Sequence, residues 1–122
     1  MIETQCIARV CHDTIASYCR SIGDFSQPRW EDAPEWQIKA TYDGIRVALD
    51  DPFSDGRAQH AEWVESMKAE GWVYGPVKNP ARKQHPGIVA YDDMSVVDKT
   101  KDHLFRGVVR AFVEARSAVI SA

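Results

Sequence analysis

The chain has 122 residues, 44% apolar and 27% charged, with a net charge of −3. That length suits one compact domain with a single core, and the composition is that of an ordinary globular protein. The acidic balance excludes a global basic field and disfavours duplex nucleic acid as a partner. Apolar runs are only a few residues long, so no membrane partner is expected.

A first helix is predicted over residues 3–21. Ile7, Val10 with Cys11, Ile15 and Tyr18 recur at helical spacing, and Gly23 marks the exit. Asp24 to Trp30 has turn chemistry and two aromatics, which predicts a loop that packs down. Asp32-Ala33-Pro34-Glu35 reads as a capping box opening a second helix, with Pro34 where no amide bond is needed. Ile38, Tyr42, Ile45 and Leu49 are its expected buried stripe, and Asp50-Asp51-Pro52 ends it.

A third helix is expected from about Gly56 to Glu70, capped by Ser54 or Asp55, with Gly71 as a left-handed terminator. Trp72-Val73-Tyr74 is a short β candidate broken by Gly75-Pro76. Residues 78–94 are too rich in Pro, Asn, Lys and His for regular structure, apart from an extended piece at Ile88-Val89-Ala90. Ser95 to Asp98 is another capping signature. It opens a last helix carrying Val97, Leu104 with Phe105, Val108, Phe112 and Ala115. The expected fold is mainly α (α+β): about four helices with a short β element, in one domain over 1–122 whose helical N-terminal half spans 3–52.

Chemistry-bearing patterns are sparse. His12, His60, His85 and His103 lie in four separate segments, with no His-x-His, His-Glu-x-x-His or Cys-x-x-Cys pair, so no metal site is expected. Cys11 and His12 are neighbours and diverge on a helix. Ser26 and Ser54 sit in turn or cap contexts, and no Gly-x-Ser-x-Gly elbow or phosphate loop is present. Asp92-Asp93 reads as a solvated acid pair. The expectation is a protein that is not an enzyme and needs no cofactor. Cys6, Cys11 and Cys19 are odd in number and fall in one predicted helix, which points to core packing in a reducing compartment. The N-terminus lacks a basic stretch followed by an apolar core, so a cytoplasmic protein is expected.

The densest tract runs from His60 to Pro86 and on to Tyr91 and Asp92. His60 and Trp63 are three apart on the third helix and emerge on one face, where an indole beside an imidazole can stack a flat ring. Such stacking contributes roughly 1–3 kcal/mol per base in nucleic-acid systems. Lys78, Arg82 and Lys83 follow the Trp-x-Tyr-Gly-Pro turn, within reach of an anion, and Pro86 favours extended backbone at His85. The competing structural reading makes Trp63, Trp72 and Tyr74 packing residues and the cations a solvated face.

The tract resembles the ryanodine-receptor repeat, the RyR domain. The likeness rests on His60-x-x-Trp63, Gly71-Trp72-x-Tyr74-Gly75-Pro76, Lys83-x-His85-Pro86 and Tyr91 with the following helix, covering residues 58 to about 113. The N-terminal half, with Ile7, Val10, His12 and the Gly23-Asp24-Phe25 loop, is similar to single-domain bacterial and phage members. The family is not known for catalysis. Paired repeats in the calcium-release channels clamp adenine nucleotides between the tryptophans of each His-x-x-Trp, and nucleotide sensing has been proposed for microbial members. The resemblance implies ligand-facing His60 and Trp63. Asn79 stands where Asp is usual, and only one repeat is present, so half of a channel-type clamp is missing.

The expected function is therefore binding or sensing of a small nucleotide-like ligand. The residues expected to bind it are His60, Trp63, Trp72, Tyr74, Lys78, Lys83 and His85. A second wall would come from a homodimer pairing Trp63 with its symmetry mate, or from Trp30 or Trp36. The alternative is a protein-interaction module of phage or bacterial origin whose aromatic tract is purely structural. Two observations separate these readings: an open pocket at His60 and Trp63, or a sealed surface there.

Overall fold

The computed structural model describes residues 2–52 and 54–121. Among them are four α-helices, three short 3-10 turns and one two-stranded parallel sheet, a mainly α fold with a small β element. The helices are α1 (Ile2–Ser21), α2 (Glu35–Asp50), α3 (Arg57–Ala69) and α4 (Val96–Ser121). The strands are β1 (Val73–Tyr74) and β2 (Gln84–His85). Two compact units divide the chain: Met1–Phe53 with Lys101–Ala122, and Ser54–Thr100.

In the first unit, α1 buries Ile7, Ala8 and Cys11 against Ile45 and Ala48 of α2 and Val109 of α4. Phe105, Val108 and Phe112 pack around that core, as do Trp30 and Tyr42. The expected stripes are shifted by small residues. Val10 and Leu49 are exposed, whereas Ala8 and Ala48 are fully buried. An alanine has no side chain beyond Cβ, so it lets helices approach closely where a leucine would hold them apart. Cys11 and Cys19 are buried and Cys6 is exposed; all three are free thiols.

The loop after α1 is pinned from both ends. Gly23, at φ +85°, ends the helix, and Asp24 accepts from the Ser26 amide and hydroxyl. The buried His12 ring donates through Nε2 to the Pro28 carbonyl at 2.7 Å and tilts against Trp30. The expected capping box at Asp32 is not made. Asp32 pairs with Arg29 at 3.1 Å and closes a 3-10 turn over Trp30–Asp32, so α2 starts behind Pro34 with no side-chain cap.

In the second unit, Asp55 accepts from the Arg57 amide at 3.1 Å, while the N-cap of α3 is Gly56 at φ +92°. Gly71, at φ +90°, ends α3. Its amide bonds Lys68 O and the Trp72 amide bonds Met67 O, a reversal that turns the chain directly into β1. β1 pairs in parallel with β2, Val73 opposite Gln84 and Tyr74 opposite His85. An antiparallel bridge from Asn79 covers the other edge of β2. The extended piece expected at 88–90 is not a strand. Ile88 is buried, and the Val89 amide turns back onto Gly87 O. Ser95 caps α4 through the Asp98 amide, as its spacing predicts.

Candidate functional site

In the second unit His60, Trp63, Trp72, His85 and Tyr91 form a chain of ring contacts. His60 is only 8% exposed, and its Nε2 lies 2.7 Å from Val89 O. A carbonyl only accepts, so Nε2 carries the proton. One face of the imidazole is stacked on Trp63, with ring centroids 5.7 Å apart and planes 28° apart, and the Tyr91 ring meets it edge-on at 6.1 Å. Trp63 in turn meets His85 edge-on at 5.0 Å, and His85 meets Trp72 at 6.4 Å. The Gly87 amide donates to His85 Nδ1 at 2.9 Å, which places the proton of a neutral His85 on Nε2.

This arrangement differs from an open seat at His60 and Trp63. The imidazole is buried, its donor is committed, and its ring contacts the indole that was expected to share a ligand with it. His60 sits at i and Trp63 at i+3, so the spacing placed them side by side correctly. What it left out was the return of residues 85–91 over them. Gly87 is the trace of that return in the sequence, because a Cβ there would lie 3.0 Å from the His85 ring and 3.3 Å from Trp63.

Open space lies at the other end of α3. A shallow hollow of about 470 Å³ is lined by Lys68, Gly71, Trp72, Val73, Tyr74 and Ile88. Of the predicted residues only Trp72 and Tyr74 line it; Lys68, Gly71, Val73 and Ile88 were missed. Val73 and Tyr74 are more than half exposed, and Val77 is 72% exposed. The two-stranded sheet also leaves an edge. The bonds Val73 N to Lys83 O and Gly75 N to His85 O turn the alternate residue, Tyr74, outward. No hydrogen bond to the amide or carbonyl of Tyr74 is present among the described residues.

The cations divide into two groups. Lys83, in left-handed backbone at φ +52°, sends Nζ 2.7 Å to Glu70 O and so satisfies a carbonyl at the end of α3. Arg82 and Lys78 are exposed on the crossover between the strands. From Lys68 to Tyr91 the sequence has Lys68, Lys78, Arg82 and Lys83 against Glu70 alone, so this stretch carries a positive excess on a net-acidic chain. Two further carboxylates gather around Arg57. Arg57 pairs with Asp55 at 3.0 Å and Asp92 at 2.8 Å and lies over the Tyr91 ring at 4.8 Å. The hydrogen bond from Arg57 holds the Asp92 carboxyl below its ordinary value, and the Arg57 amide does the same for Asp55.

In the first unit Trp30 is packed against Tyr42 and His12, and Trp36 is exposed. A second hollow, of about 340 Å³, lies among Gln5, Cys6, Arg9, Trp30 and Tyr42, where Arg9 is committed to Glu31 and Asp13. Among the described residues no three His, Cys, Asp or Glu side chains gather as a metal-holding group. No described helix is long and apolar enough to cross a membrane. No protein-family model, curated protein or solved structure matches the chain.

Proposed function

We propose that this chain is a non-enzymatic interaction module whose recognition face is the hollow beside Trp72. The observation that carries the reading is the contrast between two sites on one small unit. The His60–Trp63 pair is stacked and tied down. The hollow is open and rimmed by exposed Val73 and Tyr74, with Lys68 its one charged lining residue. Exposed apolar groups gathered around a concavity are what a partner surface buries on association. The order of residues from His60 to Tyr91 supports kinship with single-domain microbial RyR repeats as part of the same proposal. Buried free thiols at Cys11 and Cys19 support a reducing, cytoplasmic setting.

A second reading keeps the small nucleotide-like ligand and moves it to this hollow. It is favoured by the Trp72 ring and the Lys68 ammonium at one concavity, a plane for stacking and a charge for phosphate.

A selection from a random peptide library, counter-selected against a Trp72→Ala variant, tests the first reading. Sequences enriched on the native protein and lost on the variant support it; enrichment indifferent to Trp72 overturns it. A thermal-shift series with mono-, di- and cyclic nucleotides tests the second. A true ligand at one hundred times its dissociation constant stabilises the fold by about 2.7 kcal/mol.

A further inference from the structure

We infer that the edge of β1 at Tyr74 accepts an extended, acidic peptide segment as an added strand, with one of its apolar side chains seated in the hollow beside Trp72. The inference rests on the hollow being a recognition face and adds the partner's chemistry and mode of binding.

Three observations converge on one place. Tyr74 presents an amide and a carbonyl outward, with no hydrogen bond to either among the described residues. The Trp72 amide is already bonded to Met67 O and Pro76 has no N–H, so the usable edge is short and centred on Tyr74. Second, the hollow is lined by the same strand, through Trp72, Val73 and Tyr74, and alternate side chains of an added strand face one side of the sheet. A partner laid along the edge places one side chain against Trp72 and Ile88 while its backbone meets Tyr74. Third, residues 68–91 carry Lys68, Lys78, Arg82 and Lys83 against one carboxylate, Glu70.

The charge also selects the occupant. A second copy of this chain pairing edge to edge would bring these cations against their own counterparts. An acidic segment meets them with opposite sign and gains from steering as well as contact. The short edge limits the backbone bonds to about two or three, so affinity depends jointly on edge, hollow and charge.

The test uses the full chain, isotopically labelled, and a short acetylated peptide of alternating glutamate and valine with leucine at its centre. Three comparison peptides are needed: one with lysine for glutamate, one N-methylated at its central amides, and one with alanine for leucine. The expected result is a shift of the Tyr74 amide resonance with the parent peptide. Binding should weaken about tenfold on N-methylation, as loss of one or two hydrogen bonds implies, and disappear with the lysine peptide. Tyr74→Pro in the protein removes the outward donor without removing any hydrogen bond between β1 and β2, and should weaken binding similarly while the β2 resonances stay in place. If Tyr74→Pro disturbs the fold, the N-methylated peptide alone decides.

Equal binding by parent and N-methylated peptides, with shifts confined to the hollow, overturns strand addition and leaves the recognition face standing. No shift at Tyr74 or Trp72 with any peptide overturns both. Concentration-dependent dimerisation through Tyr74, seen by sedimentation, overturns the choice of partner.

Discussion

Trp63 and His60 stack on each other with centroids 5.7 Å apart, while His60 holds Val89 O at 2.7 Å from the opposite end of the unit's sequence. One contact orients the indole and the other folds the 85–91 return over α3. The pair is therefore a fastening of the second unit, and its loss should be read first as loss of fold.

Trp63→Ala is expected to destabilise by about 3 kcal/mol, from lost burial plus the space left beside His85. His60→Ala should cost about 2 kcal/mol, because the buried ring is lost and Val89 O loses its donor in a part-buried setting. Urea unfolding followed by circular dichroism checks both. A double variant costing clearly less than the two single changes together would show that they act as one contact.

Two glycine substitutions should move stability in opposite directions. Gly87→Ala drives a methyl within 3.0 Å of the His85 ring and 3.3 Å of Trp63, and is expected to cost about 1–3 kcal/mol. Gly107→Ala, inside α4 with nothing within 4 Å of the new carbon, should stabilise by about 0.5–1 kcal/mol. Melting temperatures of the two variants, measured side by side, check the contrast.

Asp92 and Asp55 should contribute to acid sensitivity of the second unit. Arg57 holds Asp92 low chiefly by its side-chain hydrogen bond and Asp55 chiefly by its backbone amide, each below the ordinary value of 3.8. A carboxyl whose pKa is depressed by folding adds stability above its unfolded value. That contribution fades as pH falls below 3.8 through the folded value. Asp92→Asn should therefore flatten the acid limb of a stability–pH curve by lowering the neutral plateau while the low-pH end stays in place, and only slightly, because the pair is exposed and screened.

Thiol reactivity should separate the three cysteines. Cys6 is exposed, whereas Cys11 is buried, with its thiol pushed up to about 12 by loss of solvent. Burial also raises Cys19. An alkylating reagent should modify Cys6 rapidly in the native protein and reach Cys11 and Cys19 only on unfolding, as peptide mass mapping would record.

The sequence announced its helices wherever apolar spacing and turn chemistry agreed. Gly23 and Gly71 stop α1 and α3, and Ser95 opens α4. It failed where a residue had two suitors. Asp32 suits an N-cap, but Arg29 lies three residues upstream and takes its carboxylate. β2 was hidden because Gln84 and His85 carry no strand preference; their pairing comes from Lys83 O and His85 O meeting the amides of Val73 and Gly75. The burial of His60 was hidden for a related reason. Helical spacing shows that His60 and Trp63 share a face, but it does not show that Gly87 and Val89 close over that face.

The most direct measurement follows the four indole N–H resonances while the acidic peptide is added. The account predicts that Trp72 moves progressively and Trp63 stays in place, since one lines the hollow and the other is locked against His60. A titration in which Trp63 moves and Trp72 does not would contradict it.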